Sequence, residues 1–356
     1  MITRFSNKRI ASILGVLPEN DSLFDDEVDN YSFPAKQTMR LKKVMGFEKH
    51  SLSKPDTTVS DLALYGINHM LDNNWIKKDD IGAVVVVSLC PDHFVPHISN
   101  IIHGELGLSS DVFCMDIPQG CCGYLMGLFQ SFMLIDHMTD KKVLLVNGDV
   151  LSHIVSHRDR NDFPLIGDAA TITVVEQTEE ENDIYFELNS DGTQREALIV
   201  PAGGFRTPAN DETSEMKDQG DGNYRSLNNL HMDGTAIFNF VQTKVPEMIK
   251  SALARNALSV DDIDYYFFHQ PNRFMLIKLA ERIGIPEDKI PVNLVENYGN
   301  PSGCSIPLVM ALNASEALMR DTYRCCLSAF GSGLAWGSMI MKIGRLNNIA
   351  IIRSNL

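Results

Sequence analysis

Two adjacent cysteines in the stretch MDIPQGCCGYLMGL, residues 115–128, are the first candidates for chemistry in this sequence. A strand-like run precedes Cys121 and an apolar helical run follows it, which puts the thiol at the amino end of a helix. Unpaired N–H groups and the helix dipole favour an anion there, so the pattern predicts a thiol pKa lowered toward neutrality and a nucleophilic thiolate. Free cysteine also commonly packs as a small hydrophobe, and Cys122 is open to the same two readings.

The second half of the chain contains a similar pattern 180 residues later. The run VVSLC-PDHFV, with Pro91, resembles YFFHQ-PNRFM, with Pro271. The same spacing sets Cys121 opposite the glycine-rich segment NYGNPSGCSIP, which also leads into an apolar helical run. These matches indicate two strand–helix units that are copies of one unit.

A pseudo-twofold relation between the two units would bring three candidate side chains together. Cys121, His269 and Asn300 lie in loops that such an axis places at one end of the molecule, the loops at 117–123, 269–273 and 299–305. Taken singly, His269 has the common role of a polar residue at a strand end, and Asn300 is a typical turn residue. Their convergence with a thiol is what favours a catalytic function.

Alternating strand and helix patterns surround these loops and predict an α/β fold. Several strand-like runs are continuous and rich in β-branched residues, as in strands covered on both faces. The predicted strands are 83–89, 112–117, 143–146, 170–175, 265–268 and 339–343, and the predicted helices are 61–71, 124–135, 237–254, 274–283 and 308–318.

Composition narrows the classes of partner. The 356 residues include 46 acidic and 31 basic ones, for a net charge of −15, and contain no basic stripe, which disfavours nucleic acid. No run approaches the ~20 apolar residues of a membrane span, and the seven cysteines lack zinc-site spacing. We expect a cytoplasmic protein with reduced thiols, no membrane contact and no metal. The cluster Arg40, Lys42 and Lys43 is suited to an acidic carrier protein, although such clusters are more often solvated surface.

Four motifs together resemble the β-ketoacyl-ACP synthase III family of the thiolase superfamily. Their order and spacing match that family from about residue 10 to residue 345. The motifs are Asp116-x4-Cys121-x-Gly123, His269-Gln-Pro-Asn272, Tyr298-Gly-Asn300-x-Ser302 and Ala329-Phe-Gly-Ser-Gly-x-x-Trp336-Gly337. Leu165-Ile-Gly-Asp-Ala169 and Met232-Asp-Gly-x-x-x-Phe238 also resemble its linking segments.

This resemblance implies a thiolase-like, five-layered αβαβα fold built from two pseudo-repeated halves, normally as a homodimer. It divides the chain into a half at 1–180 with the cysteine, a linking region at 181–235, and a half at 236–356 with the histidine and asparagine. Cys121 would accept an acyl group from coenzyme A or an acyl carrier protein, with no permanently bound cofactor. His269 and Asn300 would assist the second half-reaction, and the backbone N–H groups of Cys121 and Ser332 would form the oxyanion hole. In this alignment with the family motif, Cys122 is a packing residue and does not react.

The sequence departs from the family where coenzyme A is usually held. A tryptophan and an arginine are expected where Arg40 and Val44 stand, and an arginine is expected where Phe274 stands, with Arg273 one position early. The remaining candidates for binding the thioester substrate are Asn272, Arg273, Phe238, Phe274 and Arg40.

These departures favour non-elongating transfer of the acyl group to the amine or hydroxyl of a small acceptor, such as a nucleotide-linked amino sugar or another specialised metabolite. Retention of Asn300 favours the alternative, decarboxylative condensation with a malonyl thioester. A more distant alternative is a papain-like hydrolase, because His269 follows Cys121 by 148 residues and an asparagine follows in turn. A non-catalytic binding or scaffold protein is the fourth hypothesis.

Overall fold

The computed structural model of the protein describes residues 1–220 and 222–356. Its strands in chain order are β1 (Ile2–Phe5), β2 (Lys8–Leu17), β3 (Asp21–Leu23), β4 (Lys49–Ser51), β5 (Ile81–Val87), β6 (Phe113–Ile117), β7 (Lys142–Asp149), β8 (Ala169–Gln177), β9 (Ile184–Ser190), β10 (Leu198–Ile199), β11 (Lys217–Asp218), β12 (Tyr224–Arg225), β13 (His231–Met232), β14 (Tyr265–Phe268), β15 (Thr322–Gly331), β16 (Ala335–Gly344) and β17 (Asn348–Arg353).

Helices alternate with these strands through most of the chain. The α-helices are α1 (Phe24–Glu27), α2 (Ala35–Met45), α3 (Val59–Asp72), α4 (Ile98–Leu106), α5 (Gly123–Ile135), α6 (Gly234–Arg255), α7 (Arg273–Ile283), α8 (Leu294–Tyr298) and α9 (Ser305–Arg320). Short 3-10 helices lie at Val28–Asn30, Lys78–Asp80, Leu151–His153, Phe163–Leu165, Gly192–Ala197, Val260–Asp262, Glu287–Lys289 and Ser302–Cys304.

Two large sheets repeat one topology. One has the strand order β17-β2-β8-β7-β5-β6 and the other β1-β9-β16-β15-β14. The parallel pair β5·β7 corresponds to the parallel pair β14·β15, and the antiparallel pairs β7·β8 and β8·β2 correspond to β15·β16 and β16·β9. The two halves of the chain therefore contain the same unit, as the 180-residue spacing predicts.

The sheets and helices stack in five layers. Helices α5 and α9 lie between the two sheets and share one apolar cluster with the inner faces of both. Helices α3 and α4 cover the outer face of the six-stranded sheet, and α6 and α7 cover the outer face of the other. Because a sheet is on either side of it, α5 buries large residues around most of its surface, including Tyr124 and Phe132. The predicted αβαβα fold is confirmed by this layering.

Each strand and helix predicted from sequence is present; the strand at 265–268 has the predicted ends, and the other elements have shifted ends. The structure differs from the sequence prediction in segments whose hydrophobic patterns are weaker. Strand β9 comes from the predicted linking region and pairs with β1 and β16 inside the five-stranded sheet. Strands β1 and β17 also cross over, since each joins the sheet built mainly by the opposite half of the chain. The division at residues 180 and 235 stays a prediction.

Candidate active site

The three predicted catalytic side chains line one cavity of about 520 Å³. Cys121, His269 and Asn300 contribute to its wall together with Phe330 and Gly331. The rest of the wall is mainly apolar and comes from α2, the 3-10 turn at 163–165, β10, β13, α6 and α7. An apolar cavity with a few convergent polar groups is the usual form of a small-molecule site.

Cys121 lies in the tight turn between β6 and α5. The turn is closed by a hydrogen bond from Gly123 N to Gly120 O of 2.6 Å, and the helix begins at Gly123. The sulfur faces the backbone N–H groups of Ser332 and of Cys121 itself. These are the two groups that the sequence predicts for the oxyanion hole.

Cys122 has the opposite environment. It is fully buried in the central apolar cluster, and its Sγ lies 3.7 Å from the carbonyl oxygen of Ala329. Burial and the adjacent Cys121 raise the pKa of its thiol. Of the two adjacent thiols, only Cys121 borders the cavity.

The pKa of the Cys121 thiol is shifted opposite to the direction that the sequence predicts. Burial, followed by the charge of Asp149, raises this pKa to about 11, against an opposing hydrogen bond from Ser302. The thiol stands before the first helical residue, and loss of water outweighs the favourable end of the helix there. The Cys121 side chain is therefore a thiol at neutral pH.

His269 is a neutral, fully enclosed imidazole at the end of β14. Its backbone N–H donates to the carbonyl oxygen of Ser328 at 2.8 Å, and burial lowers the pKa of the ring to about 3. Nδ1 lies 2.7 Å from the Oγ of Ser305, the first residue of α9. This Oγ also accepts from the backbone N–H of Gln270 at 3.4 Å, so its hydroxyl hydrogen is available to Nδ1. A neutral ring that accepts this hydroxyl hydrogen at Nδ1 carries its proton on Nε2.

The backbone N–H and carbonyl groups of Asn300 both form hydrogen bonds with the segment 165–167. Its N–H donates to Leu165 O at 2.7 Å, and its carbonyl oxygen accepts from Gly167 N at 3.1 Å. The side-chain Oδ1 accepts from Ser302 N at 3.0 Å. With Oδ1 engaged, the amide nitrogen Nδ2 is the part of the side chain that can donate into the cavity.

The predicted binding residues divide into two groups. Asn272, Phe238 and Phe274 line the cavity; the two rings stack at 5.8 Å, and Asn272 caps α7 by accepting from Met275 N at 2.8 Å. Arg273 instead donates to Lys43 O at 2.9 Å and lines a separate cavity of about 310 Å³. Arg40 is exposed on α2 and lines neither cavity.

Two carboxylates near the cavity were missed in the sequence. Asp149 ends the buried strand β7 and accepts from Leu89 N at 2.7 Å, and burial raises its pKa to about 6. Asp162 lines the cavity, and burial together with the charge of Asp159 raises the pKa of its carboxyl, although Arg225 opposes this shift. A lone acidic residue at the end of an apolar strand was the available signal for Asp149.

The aspartates of two family-like motifs have structural roles. Asp116 accepts from Ile98 N at 2.9 Å and from Ser99 N at 3.0 Å, which caps α4. Asp168 accepts from the backbone N–H groups of Ser53 and Ser152 at 2.8 and 3.0 Å. Both carboxylates tie loops near the cavity to the sheet.

Neither a metal cluster nor a membrane-spanning helix is found in the part of the chain that the structure describes. No group of three or more histidine, cysteine, aspartate or glutamate side chains is placed to hold a metal ion there. None of its helices is both long and apolar enough to cross a bilayer. All seven cysteines are free thiols.

Comparisons with known proteins agree on one family. A family model described as 3-Oxoacyl-[acyl-carrier-protein (ACP)] synthase III matches residues 115–192, and its C-terminal counterpart matches residues 253–343. A Campylobacter jejuni protein named Putative 3-oxoacyl-[acyl-carrier-protein] synthase 3 is 35% identical over 96% of this chain and 96% of its own length. A Streptococcus agalactiae protein named Beta-ketoacyl-[acyl-carrier-protein] synthase III is 31% identical over 84% of this chain and 88% of its own length.

A solved structure extends the similarity to the whole fold. The 3-oxoacyl-(acyl-carrier protein) synthase from Burkholderia xenovorans LB400 has a TM-score of 0.92 and 31% identity, with 99% of both chains covered.

The close approach of Gly331 to Cys121 gives a first test. A Cβ at Gly331 would lie 2.5 Å from Cys121 Cβ and 2.8 Å from its Sγ. Gly331→Ala must therefore displace the sulfur, and we expect the rate of Cys121 acylation to fall about a hundredfold. Gly104→Ala is the matched control, since nothing lies within 4 Å of its added Cβ. Equal acylation rates in the two variants would contradict this placement of the thiol.

The raised thiol pKa gives a second test, by alkylation of Cys121 with iodoacetamide. The rate is expected to rise about tenfold per pH unit from about pH 7 to pH 10, because the thiolate fraction grows in proportion below the pKa of about 11. His269→Gln should leave this slope unchanged, since the imidazole is neutral over that range. A plateau near neutral pH would instead indicate a thiolate–imidazolium pair. Peptide mapping assigns the label to Cys121.

Proposed function

Because the chain belongs to the 3-oxoacyl-[acyl-carrier-protein] synthase III family of condensing, acyl-transferring enzymes, we propose that it loads an acyl group onto Cys121 and condenses it with a malonyl thioester. The observation that carries the proposal is the pairing of two neutral donors beside the thiol. Nε2 of His269 and Nδ2 of Asn300 are both left to donate, because Nδ1 and Oδ1 are engaged by Ser305 and Ser302.

The first half-reaction is thioester exchange. The sulfur of Cys121 attacks the acyl carbonyl carbon, and the resulting oxyanion accepts hydrogen bonds from the N–H groups of Cys121 and Ser332. The carbon–sulfur bond to the donor breaks, and the proton of the Cys121 thiol ends on the departing thiol. No net charge then remains in the apolar cavity.

The second half-reaction requires neutral hydrogen-bond donors. When the malonyl thioester loses carbon dioxide, its carbonyl oxygen becomes an enolate oxygen, which His269 and Asn300 stabilise by donating N–H bonds. The enolate carbon attacks the acyl-Cys121 carbonyl, the carbon–sulfur bond to Cys121 breaks, and the departing thiolate takes up a proton from water. A histidine whose pKa is about 3 suits this role because it donates without carrying a charge.

Transfer to the amine or hydroxyl of a small acceptor is the second candidate. The observation in its favour is Asp162, which lines the cavity. Its carboxylate oxygens are buried and make no hydrogen bond within residues 1–220 and 222–356, and Arg225 Nη1 lies 3.7 Å away. A small rotation of this carboxylate toward the cavity would present it to a polar acceptor. This reaction needs a base, however, and His269 with its proton on Nε2 presents a donor rather than an acceptor.

The cavity mouth fits either form of acyl donor, coenzyme A or an acyl carrier protein. Val44 and Phe274 at the mouth are 47% and 37% exposed, and Arg40 and Lys43 lie on the adjoining α2. An apolar opening beside basic side chains suits an acidic carrier protein that delivers a thioester arm.

We also propose that the enzyme is a homodimer. Phe94, Val95 and Phe205 are 68%, 77% and 90% exposed, and the two phenylalanine rings contact each other at 5.4 Å. Exposed apolar clusters of this kind mark interaction surfaces.

Acyl capture tests the first half-reaction. Intact-protein mass spectrometry with short, medium and 3-hydroxy acyl-CoAs, and then with acyl carrier proteins, should show a mass increase of one acyl group. Cys121→Ser should abolish it, and Cys122→Ser should retain it because that thiol only packs. An adduct retained by Cys121→Ser and lost by Cys122→Ser would overturn the assignment of the nucleophile. No adduct from any donor would count against the proposed function itself.

Carbon dioxide release distinguishes condensation with a malonyl thioester from transfer to a small acceptor. Acylated enzyme mixed with a malonyl thioester should release carbon dioxide, and His269→Ala or Asn300→Ala should slow the release about a hundredfold or more, because each removes an N–H donor to the enolate. Cys122→Ser serves as the control with normal release. Acyl-Cys121 that is consumed by a small amine but never by any malonyl thioester would replace condensation with the second candidate.

A further inference from the structure

A buried histidine–glutamate pair lies beneath the segment that holds Asn300. His50 and Glu27 are 2% and 5% exposed, and His50 Nε2 lies 2.7 Å from Glu27 Oε1. The other ring nitrogen, Nδ1, lies 2.8 Å from the carbonyl oxygen of Ile166. The pair therefore connects α1 and β4 to the 3-10 turn at the cavity wall.

Both ring nitrogens of His50 face acceptors. The carbonyl oxygen of Ile166 can only accept, so Nδ1 donates to it. The carboxylate of Glu27 already accepts from the hydroxyls of Ser22 at 2.5 Å and Tyr31 at 3.3 Å. Burial pushes the pKa of Glu27 up, but the hydrogen bond and charge of His50, with these hydroxyls, lower it overall. With Nδ1 donating to Ile166, Nε2 of His50 and Oε1 of Glu27 share one proton, which joins the two side chains into a single buried unit.

The carbonyl that His50 holds belongs to the backbone that sets the position of Asn300. Ile166 pairs with Asn300 in a parallel bridge, and the flanking Leu165 and Gly167 make the two backbone hydrogen bonds to Asn300. A further bond, from Asp168 N to Ser51 O at 2.8 Å, fixes the same segment to β4 beside His50.

The packing at this bridge leaves little room for a shift. A Cβ at Gly167 would lie 2.1 Å from Tyr298 O, and one at Gly299 would lie 2.2 Å from Ile166 O. Only glycine permits two backbones to approach this closely. A displacement of the Ile166 carbonyl therefore moves the loop that carries Asn300.

We propose that His50, held in place by Glu27, is a positioning residue for the second half-reaction, which sets the orientation of the Asn300 side chain through the carbonyl of Ile166. This role rests on the proposed function, because Asn300 contributes to that step and not to acyl capture. Removing the hydrogen bond from His50 to Ile166 is then expected to slow consumption of acyl-Cys121 while its formation continues.

The test compares Glu27→Gln with Glu27→Gln/His50→Leu. In the first variant a neutral His50 can still donate to Ile166 O and accept from the new amide, so both bonds persist without a buried charge. In the second, the bond to Ile166 is lost, and no unpaired charge is left behind to unfold the chain. Rapid-mixing mass spectrometry measures acyl capture and then the consumption of acyl-Cys121 by a malonyl thioester.

We expect capture within about twofold in both variants, and consumption about tenfold slower only when His50 is replaced. Adding Asn300→Ala to each variant completes a double-mutant cycle between His50 and Asn300. Loss of His50 should cost nothing further once Asn300 is absent, whereas a general structural role would add its effect. Should the double variant not fold, His50→Gln is measured in the same cycle.

Consumption that is unchanged without His50, or that falls equally with and without Asn300, would overturn the positioning role. Absence of acyl capture in the unaltered enzyme would instead overturn the proposed function. The two failures are therefore distinct.

Discussion

The site depends on the packing of two helices, α5 and α9, between two sheets. Cys121 lies immediately before α5, and the loop with Asn300 leads into α9, whose first residue, Ser305, contacts the ring of His269. Because both helices share one apolar cluster with both sheets, neither can slide without opening gaps in a close-packed interior. The relative positions of the three side chains proposed to react are thus fixed by burial that is far larger than any contact among them.

The same burial determines the protonation of these groups. Loss of water raises the pKa of the Cys121 thiol and lowers that of His269, so a neutral thiol faces a neutral imidazole. A resting thiol is less open to oxidation than a thiolate, and thioester exchange can move its proton directly to the leaving thiol. A neutral histidine in turn stabilises an enolate as a donor. The electrostatics therefore suit condensation better than base-catalysed transfer to an amine or hydroxyl.

The fold was largely predictable because its signals are repeated. Strands β5 and β14 and helices α5 and α9 have continuous apolar or helical patterns, and the 180-residue spacing relates them. Strand β9 was missed because its sequence, IYFELNS, mixes polar and apolar residues, and its place in the sheet depends on partners distant in sequence. Local patterns report burial well, but they carry no information on which edge strand will join which sheet.

The sequence predicted that the loops of Cys121, His269 and Asn300 meet, as they do at one cavity, but it did not predict the charges around them. Arg40 and Arg273 were assigned to substrate because of their positions in the motif, yet side-chain direction takes Arg273 to the carbonyl of Lys43. The direction of the Cys121 shift was wrong because the helix end is visible in sequence, whereas desolvation and the approach of Asp149 are not. The pair of His50 and Glu27 has no motif, since the contact of His50 is with a carbonyl more than a hundred residues away in the sequence.

The side chains proposed to react and the residues that shape the cavity come from different parts of this chain. The groups proposed to react lie on the duplicated units, at Cys121 and at His269 and Asn300. Much of the cavity wall comes instead from segments without a counterpart in the repeat, including Leu41 and Met45 on α2 and Leu198 and Met232 on β10 and β13. Substitutions there can reshape an apolar wall while the packing of α5 and α9 stays intact. The shape of the cavity can therefore change without moving Cys121, His269 or Asn300.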